Sequence, residues 1–440
     1  MERAMQIKRR ENSFTIDDMN PFKNDKLGRE TIADNLTKII DSIHGSFVLG
    51  IDSSWGTGKT TFIKMWQKKI ELNEDYFAIY FNAWENDFFN NSLISLIGEI
   101  DKHLKNGKNA KLSDLKEVTG TIASNVVKKL TFDIFNPKEM YKELNSTEVR
   151  KLLDQYINYL GIKGNLAENL KLLKEKLGVK KIIFFIDELD RCRPDYAIEI
   201  LEKIKHIFDV EDYIFVLALD KSQLSHSVGT LYGDKMDSLG YLRRFIDLDY
   251  SLPKPDKEAY IKVLIDEFEL KAPNGNDEYL WKFLIEISKK ENISLRDLDK
   301  LFYYLKILLP ITKLWDASQK LTESLKYVLG MLYSLFIYLK IKEPELYNGI
   351  LNKEFNYGDV VKVVENIKLD IRNVGFNKFI PEIIKKILEI NNSFVNFDPE
   401  EEYTIFKDFN HQERINLITL FENDGKFKIL NEMEFLNDFQ

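Results

Sequence analysis

The sequence predicts a three-layer α/β domain built on a parallel sheet, broken by a helical insertion and followed by helices alone. Three observations predict it. Short apolar runs alternate with helical periodicity from Phe47 to Leu252. Two of those runs, KIIFFI at Lys181–Ile186 and YIFVLAL at Tyr213–Leu219, are continuously apolar, as strands buried on both faces of a parallel sheet must be. After Pro253-Lys254-Pro255 punctuates the chain, strand patterns cease and helical spacing dominates.

Residues 1–20 read as a charged lead-in. Asp25–Ile43 places Ile32, Leu36, Ile39, Ile40 and Ile43 at helical spacing and predicts a helix that feeds the first strand. Phe47–Gln67, FVLGIDSSWGTGKTTFIKMWQ, reads as a buried strand, a glycine-containing loop and the start of a helix that reaches Leu72. Tyr76–Phe81 is a second strand. Asn82-Ala83-Trp84 marks its end and a turn, with an apolar helical stretch following to Ile100; core packing is the preferred reading of Trp84, ahead of a place beside the loop. Lys102–Gly178, rich in Lys, Leu, Asn and Glu, carries helical spacing and no strong strand, so it reads as a helical insertion. Its stretch Gly120–Asn136 is mildly amphipathic; packing on neighbouring helices is the preferred reading, ahead of a membrane or partner contact. Lys181–Ile186 is the third strand, Pro194–Phe208 a helix with Ile198, Leu201, Ile204, Ile207 and Phe208 on one side, and Tyr213–Leu219 the fourth strand. Leu239–Ile246 is a short helix and Asp247–Leu252 a shorter fifth strand. The helices beyond have breaks at Lys353–Tyr357 and Asn391–Glu400. The expected division is residues 21–101 with 179–255 as the α/β core, 102–178 as the insertion, 256–310 as a helical lid and 311–440 as a helical C-terminal domain.

A chain of 440 residues has room for two or three domains. The net charge of −8 argues against broad, sequence-independent nucleic-acid binding. With Cys192 the sole cysteine, no intramolecular disulfide can form, and a reducing, cytoplasmic setting is expected. No apolar run follows the charged Met1–Arg10, so no secretion signal is visible. The longest uncharged apolar run, Tyr327–Leu339, has 13 residues, too few to span a bilayer, and is expected to be a buried helix.

The chemistry-bearing stretch is Ser53–Thr61. A loop of small residues between strand and helix lets backbone N–H groups turn inward around a phosphate chain, and the helix N-terminus adds further N–H groups and a positive dipole end. The pattern for such a loop is G-x-x-x-x-G-K-[ST], in which Lys reaches the β- and γ-phosphates and the hydroxyl residue ligates Mg²⁺. Here Ser53 stands at the first glycine position, while Gly56, Gly58, Lys59 and Thr60 fit. Ser54, Trp55, Gly56, Thr57, Gly58, Lys59, Thr60 and Thr61 are therefore the expected nucleotide contacts; the bland alternative is a glycine turn before a helix. The second half of the site is IIFFIDELDR at Ile182–Arg191. Ligands of parallel α/β sheets bind beyond the carboxyl ends of the strands. Asp187 placed there can hold Mg²⁺ through water, and Glu188 can orient and deprotonate an attacking water, which suffices for a reaction that is mostly positioning and charge neutralisation; the alternative for Glu188 is a structural carboxylate. Asp220 ends the fourth strand and reads either as a γ-phosphate sensor or as a solvated turn residue. Arg243 and Arg244 read either as an arginine finger for a neighbouring subunit or as surface ion pairs. Arg296, in SLRD, opens a helix and is a candidate to reach back to the nucleotide.

The segments DKLGRETIADNL, GIDSSWGTGKTTF, YFNAWEND, IDELDRCRPDYAIEILEKIK, VLALDKSQL, YLRRFIDLDYSLP and SLRDLDK resemble the KAP family of P-loop NTPases over about residues 15–310. The resemblance implies the additional-strand form of the P-loop fold, with a strand between the two signature strands, ATP with Mg²⁺ as ligands, and an insertion between the signatures. In many members that insertion holds transmembrane helices; Lys102–Gly178 has no such run, which implies a soluble branch. Departures are Ser53, Glu188 where Asp is frequent and Arg244 where Lys is frequent. Bacterial relatives look like mobile-element or phage-defence components. The expected function is an ATPase that works as a nucleotide-driven switch in a homo-oligomer, with the insertion or C-terminal helices as partner-binding regions. The alternatives are a nucleotide-gated scaffold with negligible turnover and a nucleic-acid-stimulated motor.

Overall fold

The computed structural model describes residues 15–88, 91–106, 164, 166–233, 235–268, 270, 287–288, 293–312, 323–352, 354–356, 358–360 and 362–363. The chain divides into two compact units whose boundary falls between Lys254 and Pro255.

In the first unit, strands β1 (Phe47–Asp52), β2 (Tyr76–Asn82), β3 (Lys181–Asp187), β4 (Tyr213–Leu219) and β5 (Leu248–Ser251) form one sheet in the order β2-β3-β4-β1-β5. Every pairing is parallel. β4 thus lies between β1, which leads into the Lys59 loop, and β3, which ends at Asp187. This is the additional-strand order that the resemblance implies.

The continuous apolar runs are explained by burial on both faces. Ile182, Phe184 and Ile186 of β3, with Tyr213, Phe215, Leu217 and Leu219 of β4, belong to one core cluster. The intervening Ile183 and Phe185, with Ile214, Val216 and Ala218, belong to the other. The side-chain period of 2 splits each strand between two cores. Helices α1 (Glu30–Ser42) and α2 (Lys59–Glu71) cover the second face, through Ala33, Leu36, Ile40, Phe62, Ile63, Trp66 and Ile70. The first face is covered by α4 (Ser92–Asn106), α5 (166–177), α6 (Pro194–His206), α7 (Lys221–Tyr232) and α8 (Ser238–Leu242), while α3 (Ala83–Asn86) is a single turn after β2. Gly50 in β1 has a packing role: a Cβ there would lie 2.8 Å from Asp249 Oδ1 and 3.0 Å from Ile246 Cγ2.

Most elements match their sequence patterns within a few residues, and three readings need correction. Helix α7 was not foreseen, because KSQLSHSVGTLY offers little beyond Leu224 and Val228 as an apolar face. The expected helix Leu239–Ile246 ends at Leu242, so Arg243 and Arg244 sit on the turn that follows. Trp84 is not a core residue; it is 52% exposed.

In the second unit, α9 (Lys257–Glu267) packs on α10 (Leu295–Thr312), α10 on α11 (Glu323–Lys342), and α11 on α12 (Pro344–Asn352). Tyr260 donates a hydrogen bond to Asp299, and Lys342 bridges to Asp297 at 2.6 Å. The Tyr327–Leu339 run lies within α11, and its residues from Leu332 to Leu339 are buried. Among the described residues no helix is long and apolar enough to cross a membrane. A break at residues 354–356 follows α12. The expected Asn391–Glu400 break, most of the expected insertion and the helices expected beyond residue 363 lie outside the described residues.

Candidate functional site

The sheet topology brings the carboxyl ends of β1, β4 and β3 side by side, and the loop Ser53–Gly58 lies there. Gly56 and Gly58 hold φ values of +74° and +84°, which L side chains rarely adopt. The two glycines curl the chain so that it enters α2 directly at Lys59, whose helix presents unpaired N–H groups in its first turn. Ser53 is not among the positive-φ residues, so its replacement of glycine carries no backbone strain. Its hydroxyl lies 2.6 Å from Thr57 Oγ1, and Thr57 donates in turn to the Ser54 carbonyl at 2.9 Å. Ser53 therefore ties the loop to itself where glycine would leave it open.

Lys59 Nζ donates to the Ser53 carbonyl oxygen at 2.9 Å, folding the cation back over the loop. The side chain is 8% exposed. Burial pushes its ammonium below the usual lysine range, while Asp190, Asp187, Asp220 and Asp52 pull it back up. A buried cation beside the N–H groups that open α2 is a site that suits a polyanion.

Asp187 ends β3 fully buried. Desolvation raises its carboxyl above the usual range, against hydrogen bonds from Thr60, Tyr80 and the Glu188 N–H. Thr60 and Asp187 are thus within reach of one another across α2 and β3. A hydroxyl and a carboxylate are hard oxygen donors, and this pair would fit Mg²⁺, which takes few protein ligands. Glu188 follows in a left-handed conformation, φ +60°, and its carboxylate meets Arg191 at 3.3 Å.

Of the remaining candidates, Asp220 is 8% exposed and caps α7, accepting from the N–H groups of Ser222 and Gln223 at 3.1 and 3.2 Å. It is neither a solvated turn residue nor free to move without uncapping a helix. Thr61 follows Thr60 in the first turn of α2 and is partly buried. Arg243 and Arg244 are exposed. Arg296 is an exposed residue at the start of α10 in the second unit.

Sequence reasoning missed several contributors. Asp190 accepts a hydrogen bond from the Trp55 indole and faces Lys59. Asp52 accepts from the Lys221 N–H at 3.0 Å, tying β1 to the first turn of α7. Tyr80 donates to Asp187 at 3.0 Å. Arg191 lies over both Trp55 and Trp84. The signal for Asp190 and Arg191 was the LDR run after Asp187; nothing local pointed to Tyr80.

The KAP family P-loop domain matches residues 29–312. The phage T7 exclusion protein of Escherichia coli strain K12 is 21% identical over 276 residues, covering 53% of this chain and 34% of that protein. The chain thus spans about a third of that relative's length. With its loop, strand order and family match together, the chain belongs to the KAP family of P-loop NTPases.

Proposed function

We propose that this chain binds ATP with Mg²⁺ and hydrolyses it, using the cycle as a switch within a homo-oligomer. The observation that carries the reading is the convergence of Lys59 and Thr60, at the start of α2, with Asp187 at the carboxyl end of β3. The loop N–H groups and Lys59 hold the β- and γ-phosphates. Thr60 and Asp187 would hold Mg²⁺, which supplies charge neutralisation at the phosphates when bound. Glu188 takes a proton from water as the water oxygen attacks the terminal phosphorus and the bond to the bridging oxygen breaks, releasing ADP. ATP rather than another nucleoside triphosphate is carried by the family. The named relative is an exclusion protein against phage T7, which supports a role in phage defence for this chain.

Phosphate release under single- and multiple-turnover conditions tests the reading. Lys59→Ala weakens ATP binding at least tenfold, about 1.4 kcal/mol. Glu188→Gln still binds ATP and loses roughly 10²–10⁴-fold in turnover. Unchanged affinity in the first variant, or wild-type turnover in the second, overturns the assignment.

A further inference from the structure

Arg191 joins three segments of the site. It closes the single 3₁₀ turn Leu189–Arg191 that follows β3, and its guanidinium meets the Glu188 carboxylate at 3.3 Å. It lies 5.9 Å from the ring centre of Trp55, on the phosphate loop, and 5.6 Å from that of Trp84, on the turn after β2. The Trp55 indole N–H is fixed independently, by Asp190.

Exposure argues against a purely structural cluster. Trp55 and Trp84 are 48% and 52% exposed as residues, while the side chains of Arg191 and Glu188 are 25% and 14% exposed. Apolar burial would hide the tryptophans and leave the ions in water. Here both exposed rings lie against the cation of an ion pair. An ordinary i,i+3 surface pair loses most of its worth to side-chain entropy and solvent. A planar guanidinium held by two indole faces has already lost that freedom, and indole faces attract cations. Glu188 holds a left-handed backbone, uncommon for a glutamate, and its carboxylate meets the guanidinium of this clasp.

We propose that Arg191 is a positioning residue for Glu188: the Trp55–Arg191–Trp84 clasp sets the direction of the Glu188 carboxylate and makes it depend on the conformation of the phosphate loop. The inference rests on Glu188 as the base that orients the attacking water. Because Trp55 belongs to the loop, a change in the loop's shape reaches Glu188 through one guanidinium.

A double-mutant cycle on the full chain tests it. ATP turnover is measured for wild type, Arg191→Gln, Glu188→Gln and the double variant, with ADP affinity by titration calorimetry. Arg191→Gln is expected to lower kcat about 10- to 100-fold, within the range of coupling between residues in contact, with ADP affinity and KM little changed. Arg191→Lys restores part of the loss. In the Glu188→Gln background, Arg191→Gln costs less than about twofold, since a residue that acts through Glu188 has nothing left to aim. Trp84→Ala gives a smaller loss that disappears in the same background. The inference is overturned by equal fold losses in both backgrounds, by a loss confined to ADP affinity, or by turnover above wild type. If Arg191→Gln does not fold, the cycle is run with Arg191→Lys under the same criteria. A wild type without turnover, or Glu188→Gln with wild-type turnover, overturns the hydrolytic reading and this inference together; a large Glu188→Gln effect with an additive cycle overturns this inference alone.

Discussion

The Tyr80 hydroxyl donates a hydrogen bond to the Asp187 carboxylate across 3.0 Å, between residues 107 positions apart in the chain. Tyr80 pairs with Phe185 in the β2–β3 ladder, so Tyr80 and Asp187 are diagonal neighbours on one face of the sheet. That face is the one α2 covers, which also brings Thr60 to Asp187. The carboxylate proposed to hold Mg²⁺ is therefore oriented from two sides.

Tyr80→Phe keeps the ring and removes this one hydrogen bond, worth about 1 kcal/mol. The Mg²⁺ concentration for half-maximal turnover is expected to rise about two- to tenfold, with metal-free ATP affinity unchanged. A magnesium titration of turnover checks it; an unchanged midpoint would leave Tyr80 as packing alone.

Asp187 also ties the site to stability. Its native carboxyl holds a proton more tightly than the unfolded chain does, because burial penalises the anion. Its contribution to stability is therefore greatest below the unfolded value near 3.8 and is lost as pH rises through the raised native value. Asp187→Asn removes the buried anion. The variant is expected to melt higher than wild type at neutral pH, to lose that gain as the medium is made acid, and to turn over no ATP. Scanning calorimetry of the nucleotide-free protein across pH reads the difference, and a gain independent of pH, or a loss at neutral pH, contradicts the account.

Arg243 and Arg244 stand exposed on the turn after α8, in the same unit as the phosphate loop. If one of them serves a neighbour's nucleotide, specific activity rises with protein concentration. Mixing the Arg243→Ala/Arg244→Ala double variant with Lys59→Ala then restores turnover, since each subunit supplies what the other lacks. Such a finger is worth roughly 10³–10⁵ in rate. Full activity in a demonstrated monomer, or dead mixtures despite proven co-assembly, assigns the pair to its own subunit or to the surface.

The local half of this protein was legible in the amino-acid sequence. The strands β3 and β4, the glycine loop before α2 and Asp187 at a strand end are each written in a few contiguous residues, because apolar period, glycine placement and strand length are short-range signals. The shared segments also carried the family, and with it the strand order. Helix α7 was illegible because Ser, Gly and Thr dilute its apolar face. What only the tertiary structure decided is which distant side chains meet. Trp55 reaches Asp190 across 135 positions, Tyr80 reaches Asp187 across 107, and Asp220 turns from a strand-end carboxylate into a helix cap that also faces Lys59. Trp84 looked like core and instead covers a guanidinium. Residue type and spacing fix a strand and the face each side chain takes, but the partner across the sheet depends on strand order and register. Those are set by the packing of whole layers, which no short window of sequence contains.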